Sequence, residues 1–435
     1  MMTDFMRQPL DSAAASAPPW LRDYLSAGRR RWEAGSLPTR KTEQWKYTGL
    51  QALQPSYTTA SDGAIELADA GVELPAYGGF RVVFINGHFS AQHSDSRLPD
   101  GVSLVRFADA DETQAARILS HLGTAVGQDE PLFTALNDAG LADGVFLDVA
   151  PRAVVEQPLH VVWVSGNQAD AFSINQRLLL LCGESSKVSL IEHFTGARSE
   201  QQSFTNGVTE LLLEAGATLC HYRLNLEEAA ALHIGRVHAR LGADSTLNSF
   251  YLGLGSVLKR VDVVVDHCGQ GAHSELNGIY LPRGDEHVDY HTCIEHRVPH
   301  CTSSETFRGI IGDCATAVFN GRIHIHRDAQ KTRAELSNRN LLTSVQAEVN
   351  TKPELEIYAD DVQCAHGATV AQLDEMSLHY LRTRGVARAD AQVMLSFGFI
   401  NEVIDTVRCE TLREFLRDLL SLRFARDSAL VGSVA

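Results

Sequence analysis

The residues best placed to do chemistry are a cysteine and a histidine two positions apart, in Tyr358-Ala-Asp-Asp-Val-Gln-Cys-Ala-His-Gly-Ala-Thr369. If this run is extended, Cys364 and His366 project from one face about 7 Å apart. A thiolate beside an imidazole suits a soft or borderline metal, including iron in a sulfide cluster. Two ligands do not close a four-ligand shell, so the others must come from another chain or from the cargo. The plainer expectation is a structural turn, with Gly367 letting the backbone bend beside His366.

Two other regions carry ligand-type side chains. Between Glu286 and Cys301 lie His287, His291, Cys293, His296, His300 and Cys301. Imidazole and thiolate are the usual zinc and iron ligands, but this spacing fits no standard finger, and a solvated or hydrogen-bonded strand face is the simpler expectation. Arg322-Ile-His-Ile-His-Arg327 alternates strictly. With Ile323 and Ile325 inward, Arg322, His324 and His326 point outward, and a solvated face is again expected. The chain has no Gly-x-x-x-x-Gly-Lys-Ser/Thr phosphate loop, no Gly-x-Ser-x-Gly elbow, no His-Glu-x-x-His helix and no strand-linked Gly-x-Gly-x-x-Gly.

What must position these residues is a chain of 435 residues, too long for one ordinary compact core unless part of it is a repeat. Its 54 acidic residues outnumber 38 basic ones, a formal net charge of −16, which argues against a nucleic-acid-binding surface as the main function. No run of 18 apolar residues suggests a membrane span, and Met1 to Ala27 lacks the apolar core of a signal peptide, so a cytoplasmic location is expected. Eight cysteines without a Cys-x-x-Cys pair do not form a secreted disulfide framework and read as reduced thiols.

Residues 1–145 are mixed and mostly helical. Helical patterns begin at Pro19 and at Thr113, and Arg81–Gly87 is a strand running into a turn. From 146 to 370, strand-like runs follow one another, among them Leu159–Val164, Arg177–Leu181, Lys187–Glu192, Thr209–Leu213, Thr246–Leu252 and Val261–Asp266. Similar Gly-containing corners enter several of them: Leu213–Leu219, Leu241–Leu247 and, more loosely, Cys268–Leu276 and Ile311–Val318. The first two steps between corners are 28 and 27 residues. The third, 43 residues, leaves room for an inserted loop or an extra coil. Stacked coils of this kind predict a β-solenoid; a large sandwich or barrel is the competing architecture. Residues 371–435 turn helical. Asp374–Arg384 is a short helix ending at Gly385, a left-handed C-cap. Val393, Phe397, Ile400, Ile404 and Val407 form one apolar face. Thr411-Leu-Arg-Glu414 predicts a capping box that opens a third helix with the stripe Leu412, Phe415, Leu416, Leu419 and Leu422. A tail this apolar packs on its own core or on a partner.

The run Tyr358–Val370 resembles the signature of the SufB/SufD family of iron–sulfur cluster assembly proteins. Pro38-Thr-Arg-Lys-Thr-Glu-Gln-Trp-Lys-Tyr-Thr48 resembles the N-terminal signature of its SufD branch. Arg339–Leu342, Lys352–Ile357, Tyr380–Gly385 and Gly398–Val403 fit as well, so the likeness runs from about residue 20 to 425. The SufB-like branch shares the core and is the neighbouring alternative. The resemblance implies a mainly β fold: a right-handed parallel β-helix core flanked by an N-terminal α/β-mixed helical region and a C-terminal helical domain. It implies a non-catalytic scaffold that pairs with a SufB-like paralogue through the β-helices and receives a SufC-type ABC ATPase on the C-terminal helices. Arg384, Gly385, Val386, Phe397 and Ile400 are the docking candidates. The nascent, transient iron–sulfur cluster would sit at the paralogue interface, with His366 as metal ligand and Cys364 beside it. A reduced flavin belongs to some such complexes, although no flavin motif stands in this chain. A homodimer is the expected alternative pairing for the isolated chain. Outside the family, the competitors are a β-helix enzyme acting on acidic polysaccharide and a metal-binding protein using residues 287–301.

Overall fold

The computed structural model describes residues 4–432 except 62–66, 68–71, 73, 127–130, 167, 197–199 and 228. Two ten-stranded sheets, parallel apart from one antiparallel edge strand in each, face each other, and the chain alternates between them, making a β-solenoid of about seven turns. Sheet A runs from Val145–Val149 through Phe172–Cys182, Ser203–Leu213, Leu232–Leu241, Leu258–His267, His287–His296 and Thr316–Ile325 to Glu348–Ile357. Sheet B runs from Leu159–Ser165 through Lys187–Gly196, Thr218–Asn225, Thr246–Leu254, His273–Leu281, Thr302–Ile311 and Arg333–Leu342 to Gln363–Gln372.

Strand periodicity explains why these runs form strands and where they point. In Phe172–Cys182, Leu178, Leu180 and Cys182 enter the solenoid core, while Leu179 and Leu181 pack outward under helices. Both faces are covered, so the sequence reads as a continuous apolar run, as parallel strands do. The corners repeat more regularly than the sequence suggests. Arg152, Ser185, Gly216, Asp244, Gly271, His300 and Lys331 all hold positive φ and follow one another at the A-to-B corner of successive turns. Only two of these seven are glycines. The others accept a left-handed conformation that costs roughly 1–2 kcal/mol each, which hides the repeat from a search for glycine. The Ile311–Val318 corner belongs to the opposite edge, leading from sheet B to sheet A, beside Gly284. The 43-residue step is therefore a turn and a half, with no inserted loop or extra coil.

The N-terminal region closes one end of the solenoid. Phe80–Ile85 adds to sheet B beside Leu159–Ser165, and His88–Phe89 turns back on it antiparallel. Val102–Arg106 closes sheet A antiparallel to Val145–Val149. Four helices, α1 (Arg7–Ser16), α2 (Arg22–Ala34), α3 (Glu112–His121) and α4 (Leu132–Ala139), belong to this region. They cover the outer face of early sheet A, burying Phe204, Leu232, Ile234, Leu179 and Leu212. Asp111 and Gln114 close a capping box at the start of α3. Arg177 locks the helices down, reaching Asp138 of α4 at 2.7 Å and Glu210 at 2.6 Å with all three side chains buried.

The C-terminal helices α5 (Glu375–Thr383), α6 (Arg388–Ile404) and α7 (Glu410–Gly432) pack on the outer face of sheet B. Ile400, Ile404, Val407, Leu412, Leu416 and Leu420 bury themselves against Tyr222, Phe250, Leu252, Ile279 and Ile310. The tail thus finds its cover in the same chain. Two details differ from expectation. Thr411 makes no capping box: α7 starts at Glu410, and the Thr411 hydroxyl donates to the Tyr77 carbonyl at 3.1 Å. The α7 stripe also continues through Leu420, leaving Leu422 exposed. Gly385, at φ +87°, ends α5 as predicted.

Candidate functional site at the open end of the solenoid

The last turn is built like the others and covered by much less. In Gln363–Gln372, Cys364 pairs with Ala334 and His366 with Leu336 of the preceding strand. Both partners belong to the solenoid core, so Cys364 and His366 lie on the inward face of a strand that has no further strand beyond it. Cys364 is half-buried against the end of the core, and burial pushes its thiol pKa up. His366 is exposed, with no hydrogen bond or ion pair to any described residue. Gly367 sits within the strand opposite Ser337, and a Cβ there would meet nothing within 4 Å. The turn expected at Gly367 is instead completed before Gln363. The other terminal strand, Glu348–Ile357, is also only partly covered along its length. The open end therefore presents two free strand edges and, on one of them, a thiol beside an imidazole.

The docking candidates divide by burial. Arg384 is exposed, its guanidinium 3.8 Å over the Tyr380 ring; Gly385 is exposed and Val386 half-exposed. Phe397 is half-buried, whereas Ile400 is fully buried against sheet B. Ile400 therefore holds α6 in place and is not available to a partner, unlike the other four candidates. Tyr380, Met376 and Met394 are exposed apolar side chains nearby that the sequence reading did not select.

The histidine-rich run does not form one cluster, because strand alternation splits it. His287, His291 and Cys293 face outward from sheet A; His296 and Cys301 are buried. Outward, His287 and His291 join a network with Asp289, Thr48 and Arg260. This network pins the Pro38–Thr48 segment to sheet A: Arg260 donates to the Gln44 carbonyl at 2.6 Å and lies 4.0 Å over the Trp45 ring. Arg322, His324 and His326 are not simply solvated. His324 Nδ1 and His326 Nε2 converge on Glu295 Oε2 at 2.8 and 2.7 Å, and Arg322 contacts Cys293 Sγ at 3.2 Å. Burial, reinforced by Glu295, pushes the Cys293 thiol up to about 12.

A buried polar column inside the solenoid escaped the sequence reading altogether. Glu192 accepts hydrogen bonds from His221, Arg223 and Thr209. Burial alone would raise its pKa, but Arg223 and His221 outweigh that and hold it at about 2. Further along, Glu305 is buried with only Thr292 donating to it, at 2.5 Å, and burial raises it to about 8. Isolated polar residues inside apolar strands gave no periodic signal that could have revealed this.

The architecture defines a β-solenoid whose final turn is left open beside a thiol and an imidazole. The sequence model of the SUF system FeS cluster assembly SufBD core domain matches residues 164–399, and that of the SufBD protein N-terminal region matches residues 2–161. The iron–sulfur cluster assembly protein SufD of Escherichia coli is 30% identical over 382 residues, 87% of each chain. An iron–sulfur cluster assembly SufBD family protein of Synechocystis is 29% identical over 398 residues, 89% of this chain and 87% of its own. Protein ABCI7, chloroplastic, of Arabidopsis thaliana is 29% identical over 388 residues. The chain belongs to the SufBD family of iron–sulfur cluster assembly proteins and is SufD-like. The names of the Escherichia coli and Synechocystis relatives state iron–sulfur cluster assembly. Among the described residues, no helix is long and apolar enough to cross a membrane.

Proposed function

We propose that this chain is a non-catalytic, cytoplasmic scaffold subunit that pairs through its open last turn with a SufB-like paralogue. The nascent iron–sulfur cluster is its cargo, built between the two chains, with His366 as a ligand and Cys364 beside it. The observation that carries this reading is the bare terminal pair of strands. An uncovered strand edge is a template for another chain, and here the edge bears the one exposed imidazole–thiol pair of the signature run. In the functional division that goes with it, residues 1–145 cap the solenoid, 146–370 form the scaffold and 371–435 receive a SufC-type ATPase. The exposed Arg384–Val386 turn, with half-buried Phe397 behind it, is the docking surface. A reduced flavin, where a complex uses one, is not assigned to residues of this chain.

Co-purification from the host tests the partners: a paralogue and a small ATPase should accompany the tagged chain. The His366→Ala complex tests the site. It should assemble in normal yield and hydrolyse ATP normally while carrying much less cluster iron and sulfide. Unchanged cluster content in that complex would exclude His366 as a ligand.

A further inference from the structure

Successive turns of the solenoid repeat one buried pair. His267 ends the strand Leu258–His267, and His296 is its ladder partner at the end of His287–His296. After the corner, Ser274 and Ser303 are likewise ladder partners in sheet B. His267 Nε2 lies 2.9 Å from Ser274 Oγ, and His296 Nε2 lies 2.9 Å from Ser303 Oγ. The two rings stand edge to face with centroids 4.4 Å apart. Cys301 enters the same space from the second corner, and all three side chains have 0% exposure. One nitrogen of each ring and the Cys301 sulfur lie within 4.8 Å of one another.

Three features make this more than packing. Nδ1 of both rings is buried without a hydrogen-bond partner among the described residues, and a buried unmatched acceptor calls for an explanation. The serine hydroxyls occupy Nε2, so an Nε2–H donated to each leaves both Nδ1 lone pairs directed elsewhere. That is the outer-shell arrangement by which metal-bound histidines are held in one tautomer. Moreover, among the described residues no cation pairs with the group, in contrast to the outward Glu295–His324–His326 set, which is already closed on itself and touched by Arg322.

We propose that His267, His296 and Cys301 form an internal site for a borderline-to-soft transition-metal ion, Zn²⁺ by the chemistry of two imidazoles and one thiolate. Binding exchanges the Cys301 thiol proton, released to solvent, for the metal–sulfur bond; the imidazoles stay neutral. The ion ties two consecutive turns together in mid-solenoid, away from His366, and the inference does not depend on the cluster-assembly reading.

The test uses the full chain treated with chelator and titrated with Co²⁺ or Zn²⁺. The wild type should take up one equivalent, show a thiolate-to-cobalt charge-transfer band and melt at higher temperature with Zn²⁺ than without. Cys301→Ala should lose the charge-transfer band. Ser303→Ala, which removes only the outer-shell partner, should bind about 10- to 100-fold more weakly. The Cys364→Ala/His366→Ala chain should keep the full equivalent. A wild type that shows no thiolate band and no Zn²⁺-dependent rise in melting temperature overturns the proposal, as does a Cys301→Ala chain with an unchanged spectrum. If Cys301→Ala does not fold, the wild-type band and melting shift decide the matter together with Ser303→Ala.

Discussion

Ser203–Leu213, in sheet A, and Gln363–Gln372, in sheet B, are strands of the same solenoid. The first buries all eleven of its residues; the second buries none. Local structure is the same, so the difference lies in covering. Ser203–Leu213 has strands on both sides and N-terminal helices over its outer face. Gln363–Gln372 has a strand on one side only. The early turns are covered and, on the proposed function, the last turn serves association, so the two should answer substitution in opposite ways.

The largest effect should come from the early turns. Arg177→Met leaves Glu210 as a buried carboxylate without its cation and Asp138 with only Arg31. Breaking a buried pair this way costs about 3–5 kcal/mol, so denaturant unfolding should show the chain close to its stability limit. A loss below about 1 kcal/mol would mean that the helices are held to sheet A mainly by apolar contact.

Next comes the outer face of sheet B. Ile400→Ala should cost about 2–5 kcal/mol by opening a cavity beneath α6. Arg384→Glu, on the exposed turn, should leave stability within about 0.5 kcal/mol while abolishing ATPase pull-down. Point variants are needed because deleting residues 371–435 would bare Tyr222, Phe250, Leu252 and Ile279 together and confuse docking with folding.

A third test reads the interior. Burial raises Glu305 to about 8, so the folded chain holds a proton that the unfolded chain has released above its ordinary value near 4.3. This contribution is present at low pH and is lost as pH rises towards 8. Buried neutral histidines such as His193 and His296, both pushed down to about 4 by burial, act with the opposite sign between pH 4 and 6.5. Comparing wild type with Glu305→Gln cancels them. The stability of the variant relative to wild type should climb from pH 5 to pH 8; a flat difference would mean that Glu305 is ionised inside the fold.

The smallest effect on stability belongs to the last turn. His366→Ala should leave the melting temperature unchanged, because the exposed side chain makes no hydrogen bond or ion pair with a described residue, while cluster content falls in the complex. Equal losses of stability and cluster content would erase the contrast between the two ends.

Much of this contrast was legible beforehand. The apolar runs marked the strands because parallel strands covered on both faces must be apolar throughout. The alternation in Arg322–Arg327 placed Ile323 and Ile325 inward, where they are. Cys364 and His366 do share a face, since a strand repeats every two residues. Three features were not legible: which corners were equivalent, where Gly367 lay and what covered the tail. Positive φ on serine, aspartate, histidine and lysine leaves no glycine to count, and an amphipathic helix does not declare its partner.

The sequence by itself determined the repeating strands, the left-handed end of α5 at Gly385 and the signature run that carries Cys364 and His366, because each depends on residues adjacent along the chain. Only the tertiary structure decided that His267 meets His296 and Cys301, that Ile400 is core and that the final turn is bare. Stacking one turn on the next brings together residues about 28 positions apart, as Leu213 and Leu241 are. Where that stacking stops is a property of the whole solenoid, which no single strand encodes.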